Sequence, residues 1–269
     1  MNTRDPWSVI QCARHPRRPT AQTVIKHLAL DFIELRGDRR FGDDRAIRGG
    51  IGSINGVVMT IISEEKGTTL EEKIENCFGM PHPEGYRKIE RLVRQADKFG
   101  RPVLFLIDTP GAYPGVEAES RGQAEAIASL IKYLFRVKVP IIAVVLSEGG
   151  SGGALAMGIS DYLMMFENAF YSILSPEGYA AILYKDATLA KEKVAEMKLT
   201  AQDLLAYRII DEIIPEGELC WHENIIPPIE CLKESIGKQL GILHQIKPEE
   251  RVNRRLKRYR AIGNYKEES

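Results

Sequence analysis

The segment from Ile141 to Gly158 constrains the fold of this 269-residue chain more than any other. An apolar run meets a glycine cluster, Gly149 to Gly153, which is followed by small residues up to Gly158. Glycine lets the backbone turn sharply and lets other atoms approach the main chain. The first amides of a helix lack internal partners and carry the positive end of its dipole. The pattern therefore predicts a strand–turn–helix junction that holds an anion or a developing oxyanion.

Composition and charge limit the class of protein. With 44% apolar residues the chain is long enough to bury a large core, so we expect a globular α/β protein. Lys+Arg and Asp+Glu both number 37, which gives no electrostatic reason to expect a nucleic-acid or membrane partner. No apolar segment approaches the roughly 20 residues that span a bilayer, and 1–5 lacks a signal-peptide core. A cytoplasmic location is the expectation.

The cysteines and histidines do not show the spacing of a metal site. The cysteines are far apart without a C-x-x-C pair, which argues against a zinc ribbon in this chain, and we expect reduced thiols. The histidines fit surface loops or helices better than metal ligation. These residues are Cys12, Cys77, Cys220 and Cys231, and His15, His27, His82, His222 and His244.

The first third of the chain predicts an arm, a helix and a hairpin. Residues 1–48 are rich in Arg, Asp and Pro, which favours an irregular arm before a short helix capped by Thr20. The helical spacing of Val24, Leu28 and Phe32 marks that helix. Asn55-Gly56 between apolar runs predicts a two-residue turn joining antiparallel strands.

Strands and helices then alternate, which predicts a parallel sheet flanked by helices. The C-terminal part is expected to be helical, with a solvated last helix over 249–260. The predicted helices are 89–99 (ending at Gly100), 124–134, 176–184, 189–197 and 200–207, and the predicted strands are 103–107, 139–146, 162–166, 170–174 and 209–214.

Several glycine-containing motifs, in order between about Trp7 and Pro215, carry a family resemblance. Together they resemble the carboxyltransferase α subunits of bacterial acetyl-CoA carboxylase, although each glycine turn alone is weak evidence. The motifs are Arg48–Gly52, Phe78–Pro81, Pro83–Lys88, Asp108–Gly115, Glu148–Gly158 and Ser175–Gly178.

The resemblance implies a crotonase-like spiral of ββα units, rather than the doubly wound sheet that periodicity alone favours. It implies a core over 49–215, between an N-terminal arm (1–48) and a helical C-terminal region (216–269). It also implies transfer of a carboxyl group from carboxybiotin, on a biotin carboxyl carrier protein, to acetyl-CoA. The product is malonyl-CoA, in the first committed step of fatty acid biosynthesis. The implied partners are biotin carboxylase and a zinc-ribbon β subunit, in an α2β2 assembly.

The resemblance also places the working groups in the glycine turns. The amides of Gly152 and Gly153 are expected to form the oxyanion hole for the ureido oxygen of biotin. Gly111, Ala112, Gly149 and Gly150 are expected to line the substrate site. Glu148 and Glu177 precede glycines there, and a loop-orienting role is favoured over general base catalysis.

One segment departs from the family pattern. Many relatives have a His-Gln-Lys-Gly segment where this chain has Glu64-Glu65-Lys66-Gly67, so only Lys66 and Gly67 carry over. These residues are expected to open a polar loop after the hairpin.

Two alternatives remain open from the sequence. Gly149 to Gly153 fits G-x-S-x-G after a strand and before a helix, and Asp211 and His222 follow in triad order, as in a serine hydrolase or peptidase. The same glycines are explained by close substrate approach. A non-catalytic crotonase-like scaffold is the second alternative, and the intact glycine motifs argue against it.

Replacing Ser151 with alanine distinguishes the two enzymatic interpretations. We expect Ser151→Ala to retain most carboxyl transfer, because backbone amides rather than the hydroxyl are the proposed donors. If Ser151 were a nucleophile, its replacement would lower kcat by on the order of 10⁶-fold. Steady-state assays of carboxyl transfer and of ester hydrolysis, run side by side, measure the difference.

Overall fold

The computed structural model describes residues 4–217 and 220–263. Its strands are β1 (Leu30–Glu34), β2 (Ile47–Ile54), β3 (Val57–Glu64), β4 (Val103–Thr109), β5 (Ile141–Gly150), β6 (Tyr162–Phe166), β7 (Phe170–Ser172) and β8 (Glu212–Ile214). Its helices are α1 (Pro6–Ala13), α2 (Ala21–Leu28), α3 (Leu70–Glu75), α4 (Pro83–Phe99), α5 (Val116–Ser120), α6 (Gln123–Leu134), α7 (Ser151–Gly158), α8 (Pro176–Tyr184), α9 (Ala190–Lys193), α10 (Ala201–Ala206), α11 (Ile226–His244) and α12 (Pro248–Arg260). The described strands form one sheet in the order β1-β2-β3-β4-β5-β6-β8, and β7 pairs with β5.

The predicted hairpin is confirmed. β2 and β3 pair antiparallel from Ile54 opposite Val57 outward. Asn55 and Gly56 both have positive φ, 51° and 77°, as a type I′ turn requires. The right-handed twist of this turn matches the strands that it joins.

The parallel part of the sheet places the glycine cluster between two other strands. β4 and β5 are buried along their whole length, as parallel strands covered on both faces must be. β5 pairs with β6 through Ile142–Val145 and then with β7 through Glu148–Gly150. Gly149 therefore lies between Thr109 of β4 and Tyr171 of β7.

The N-terminal region is more ordered than predicted. The irregular arm contains α1, capped by Asp5 and packed through Val9 and Ile10, so that prediction was wrong for these residues. Thr20 caps α2 as predicted. Phe32 lies in β1 instead of the helix, because the backbone becomes extended at Ala29.

The helices of the middle region are largely confirmed. α4 ends at Gly100, whose φ of +70° is the left-handed helix cap that favours glycine. Its buried apolar face consists of Ile89, Leu92, Val93 and Ala96, whereas Phe99 is exposed. In α6 the buried side chains include Ala126, Leu130 and Leu134.

The segments after β7 follow the prediction with shorter elements. α8 matches its predicted range, and Thr200 with Asp203 forms the expected capping box at α10. The predicted helix over 189–197 is divided into α9 and a 3₁₀ turn, and the predicted strand over 209–214 is reduced to β8. Among the described helices, none combines the length and apolarity needed to cross a membrane.

The expectation of reduced, scattered cysteines was wrong for one pair. The structure joins Cys12 and Cys220 by a disulfide across 208 residues of sequence. Spacing along the chain did not indicate this pair, because α1 meets the loop before α11 only in the folded protein. Cys77 and Cys231 are free.

The last helix is not solvated all round, contrary to prediction. Arg255 is 1% exposed, and its Nε and Nη2 donate to Asp161 at 2.9 and 2.7 Å. Its Nη1 donates to the carbonyls of Leu134 and Val137 at 2.6 and 2.9 Å. The charge-rich sequence of α12 thus includes a guanidinium that fixes the helix to the core.

Replacing Arg255 with methionine should destabilise the fold strongly. Removing one partner of a buried pair leaves Asp161 uncompensated, which typically costs about 3–5 kcal/mol in the free energy of unfolding. Arg254→Met is the matched control, because Arg254 pairs with Glu250 on the exposed face of α12 and contributes little. Urea unfolding followed by circular dichroism measures both variants. Equal losses would contradict a special role for Arg255.

Candidate active site

The start of α7 presents backbone amides without internal partners. β5 ends at Gly150, the N-cap of α7, and the helix begins directly at Ser151. No side chain caps this helix among the described residues. The amides of Gly152 and Gly153, in its first turn, therefore have no hydrogen-bond acceptor within the helix. This is the junction that the sequence predicts, and its amides are suited to a negatively charged oxygen.

Two of the glycines allow the backbone of one turn to pack directly on another. A Cβ at Gly150 would overlap the carbonyl oxygen of Pro110. One at Gly153 would lie 2.8 Å from the carbonyl carbon of Gly111. The start of α7 and the turn after β4 are thus held together by main-chain contact, which any larger residue would prevent. The structure brings together the two glycine turns that the sequence indicated.

Gly149 and Gly152 have different surroundings. A Cβ at Gly149 would lie 2.8 Å from the ring of Tyr171, so this buried glycine is needed for packing. Gly152 is partly exposed, and a Cβ there would meet Ile127 at an ordinary 3.8 Å. The fold therefore does not require glycine at 152.

Hydrogen bonds between Thr109 and Gly111 hold the turn after β4. Gly111 adopts a φ of +150° and donates its amide to the Thr109 hydroxyl at 3.0 Å. That hydroxyl donates in turn to the Gly111 carbonyl at 2.8 Å. Gly111 thus shapes the turn, while Ala112 is partly exposed beside Gly153.

A network of charged side chains, which the sequence analysis missed as a unit, adjoins the junction. Glu148 accepts hydrogen bonds from Lys66 at 2.9 Å and from Arg14 at 3.0 Å. Lys66 also contacts Asp108 at 2.8 Å, and Arg14 contacts Glu177 at 2.8 Å. Each of these residues lies in or beside a segment that the sequence analysis identified. No pattern of neighbouring residues, however, indicated that their side chains meet. The loop-orienting role expected of Glu148 and Glu177 agrees with this geometry.

The network keeps Glu148 and Lys66 charged. Burial alone would raise the pKa of Glu148, yet Lys66 and Arg14 hold it below its ordinary value. Burial alone would lower the pKa of Lys66, and Asp108 and Glu148 raise it instead. At neutral pH Glu148 thus stays ionised and paired with Lys66 and Arg14.

The expected polar loop at Glu64 and Glu65 is a buried strand end, so that expectation was wrong. Glu64 is the last residue of β3, is fully buried, and accepts the Asp108 amide at 3.1 Å. Burial raises its pKa well above the ordinary value. Glu65 is buried too and accepts the amides of Gln22 and Gly67 at 2.6 and 2.9 Å. The hydrogen bonds to these amides explain how two carboxyl groups are accommodated inside the fold.

A cleft of about 320 Å³ opens beside the charged network. That volume is at the lower end of the range for small-molecule sites. Cationic, acidic and apolar side chains share its lining, which includes Arg14, His15, Arg18, Lys66, Lys73, Phe78, Asp108 and Glu148.

The hydrolase triad is not assembled. Ser151 is exposed and has a φ of +47°, a conformation that a nucleophile elbow also requires. However, Asp211 accepts hydrogen bonds from Arg258 and the Leu163 amide. His222 contacts Glu223 at 3.3 Å. The strained serine therefore lacks the base and the orienting carboxylate of that mechanism.

The fold is that of crotonase-like carboxyltransferases. Transcarboxylase 12S, solved with methylmalonyl-coenzyme A and methylmalonic acid bound, is similar with a TM-score of 0.71, covering 92% of this chain and 47% of that one at 18% identity. The β subunit of geranyl-CoA carboxylase from P. aeruginosa gives a TM-score of 0.66, covering 87% and 43% at 18% identity. These similarities confirm the spiral fold and show that the doubly wound alternative was wrong.

Sequence comparison identifies the family. The family described as acetyl co-enzyme A carboxylase carboxyltransferase-like matches residues 1–263. The acetyl-coenzyme A carboxylase carboxyl transferase subunit alpha of Carboxydothermus hydrogenoformans is 51% identical over 259 residues, covering 96% of this chain and 80% of that protein. A beta/alpha protein of Clostridium tetani is 48% identical over 265 residues, covering 98% and 46%. This chain belongs to the acetyl-CoA carboxylase carboxyltransferase family.

Replacing Lys66 with methionine should move acid unfolding to higher pH. The lowered pKa of Glu148 contributes stability above the ordinary glutamate pKa, and this is lost as pH falls through the folded-state value. Without Lys66, only Arg14 opposes the effect of burial, so Glu148 is protonated at higher pH. The midpoint of acid unfolding, followed by circular dichroism, should therefore rise. Lys26→Met, at an exposed position on α2, is the control and should leave the midpoint unchanged.

Proposed function

We propose that this chain acts as the α subunit of the acetyl-CoA carboxylase carboxyltransferase. It transfers a carboxyl group from carboxybiotin to acetyl-CoA and so forms malonyl-CoA, at the first committed step of fatty acid biosynthesis. The observation that carries the proposal is the uncapped start of α7, where glycine amides lie beside a second glycine turn. Family membership over residues 1–263 supports the same activity.

The residues at this junction fit the biotin group. When bound, carboxybiotin would supply the carboxyl group that is transferred. The amides of Gly152 and Gly153 would hold its ureido oxygen, which the partly exposed backbone at Gly152 would let approach. Because the helix fixes these donors beforehand, each lowers the barrier without reorganisation, by about 3 kcal/mol.

The other expected site residues hold the amides of Gly152 and Gly153 in position. Ala112 lines the mouth of the site, and Gly111 shapes the turn that carries it. Gly149 and Gly150 permit the close packing that holds the first turn of α7 in place. Arg14 pairs with Glu148 in β5 and with Glu177 in the first turn of α8, and it thereby links these two elements.

A partner subunit supplies the rest of the site. The Clostridium tetani relative is named as subunits beta/alpha, which supports a β-subunit partner for this chain. Apolar side chains at the end of β7 and on α8 are exposed, with Ile173 at 78%, Ile182 at 53% and Leu183 at 58%, as expected of a contact surface. The β subunit carries the zinc ribbon and holds the acetyl-CoA enolate, and two chains of each form an α2β2 assembly. The biotin carboxyl carrier protein and biotin carboxylase complete a cytoplasmic enzyme.

Reconstitution tests this function. The chain is mixed with its candidate β subunit, a biotin substrate and malonyl-CoA, and the transfer of the carboxyl group is followed. We expect activity from the mixture and none from either subunit alone. Full activity of this chain without the β subunit would contradict the half-site model.

Gly152→Val tests the oxyanion hole with little risk of misfolding. A Cβ at 152 meets Ile127 at an ordinary 3.8 Å, and the branched side chain of valine should obstruct access to the first-turn amides. We expect a fall of at least 10²-fold in kcat, as for loss of an oxyanion donor. Thermal stability and assembly with the β subunit should be unchanged.

Gly241→Val, on α11, is the matched control, because a side chain there meets no atom within 4 Å. It should retain wild-type turnover. If Gly152→Val also retains it, the amides of α7 are not the oxyanion donors.

A further inference from the structure

Three side chains of the metal-binding type converge at the contact between α1 and the loop before α11. Cys12 lies on α1, whereas Cys220 and His222 lie in that loop. The two sulfur atoms and a ring nitrogen of His222 all lie within 4.8 Å of one another. His222 lies in a loop, as predicted, but its side chain is only 10% exposed. None of the three residues belongs to the glycine turns, so the inference does not depend on the proposed function.

One ring nitrogen of His222 has an acidic partner, and the other has none among the described residues. Its Nε2 lies 3.3 Å from the Glu223 carboxylate, so the neutral ring carries its proton there. Its Nδ1 is buried and has no hydrogen-bond partner among the described residues. A histidine that donates one nitrogen to a carboxylate and presents the other to a metal is the common arrangement at zinc sites. A buried nitrogen without a hydrogen-bond partner otherwise destabilises the folded state.

Each sulfur has a cation beside it. Arg18 Nη1 lies 3.6 Å from the Cys12 sulfur, and Arg4 Nη1 lies 3.7 Å from the Cys220 sulfur. Neighbouring guanidinium groups stabilise thiolates, which are the form that binds metal. Each candidate ligand therefore has a charged partner: a guanidinium beside each sulfur atom and a carboxylate beside the imidazole.

We propose that in the reduced chain Cys12, Cys220 and His222 bind a zinc ion. Two thiolates and one imidazole form a ligand set that zinc favours, and the two negative charges balance Zn²⁺. His15, whose ring stacks on that of His222 with centroids 3.8 Å apart, is placed to provide the fourth ligand after a side-chain rotation, and a water molecule is the alternative. Cys12 is only 6% exposed whereas Cys220 and His222 are partly exposed, so the ion lies at the edge of the core, where it links α1 to the loop and stabilises the structure.

The disulfide is the oxidised form of the same cluster. A dithiol reduces it by transferring two electrons and two protons, so that the S–S bond breaks and the dithiol itself becomes a disulfide. Zinc then displaces the two thiol protons into solvent. The metal replaces the disulfide as the link between α1 and the loop. That link also holds Arg14, at the end of α1, against Glu148 and Glu177.

Metal analysis of the full-length reduced chain tests the proposal. The protein is purified under a phosphine reductant, loaded with zinc, dialysed, and analysed by elemental mass spectrometry. We expect one zinc per chain, and Co²⁺ substituted for zinc should give thiolate-to-metal charge-transfer absorption. Cys12→Ser, Cys220→Ser and His222→Gln should each weaken zinc binding at least tenfold.

Cys77→Ser is the matched control, because Cys77 is a free cysteine outside the cluster, and it should bind zinc like the wild type. The cobalt spectrum of the wild-type chain decides the question even if a ligand variant fails to fold. Absence of zinc and of charge-transfer bands in the reduced wild type would overturn the proposal and leave a disulfide only. Undiminished binding by the cysteine variants would overturn it as well.

Discussion

The site depends on main-chain contact between two turns. The end of β5 and the first turn of α7 lie directly on the turn after β4, with Gly150 against Pro110 and Gly153 against Gly111. A single methyl group at either glycine would separate them. This contact fixes the orientation of the α7 amides before any ligand arrives, and preorganised donors of this kind are the most effective form of electrostatic catalysis. Glycine at 152, in contrast, is not needed for packing, which is consistent with a role in ligand access.

Ion pairs of the charged network stabilise the same region. Glu148, the residue before the glycines, is held by Lys66 and Arg14, and Lys66 also binds Asp108 at the end of β4. The ends of the two strands that carry the glycine turns are thereby tied together by ion pairs as well as by backbone packing. These side chains need not take part in chemistry for the site to depend on them. Ionised carboxylates are retained there because each has a cation within about 3 Å.

The local signals in the sequence were reliable where chemistry acts within a few residues. Asn55-Gly56 specified its hairpin, Gly100 ended its helix, and Thr200 with Asp203 formed a capping box. The predictions failed where a residue takes its partner from a distant element. The charge-rich composition of α12 predicted a solvated helix, yet Arg255 donates to Asp161, which lies 94 residues away in the sequence. The charges of the Glu64–Glu65 segment suggested a loop, but amides of other elements let both carboxyl groups be buried.

By itself the sequence determined the family, most of the strands and helices after residue 48, and the two glycine turns, because these depend on neighbouring residues and on motifs. Only the tertiary structure decided which glycines serve packing and which leave the backbone open. It also decided that Lys66 lies beside Glu148 and that Cys12 meets Cys220 across 208 residues. Such pairs depend on how distant elements pack, and neither spacing nor periodicity along the chain records that packing.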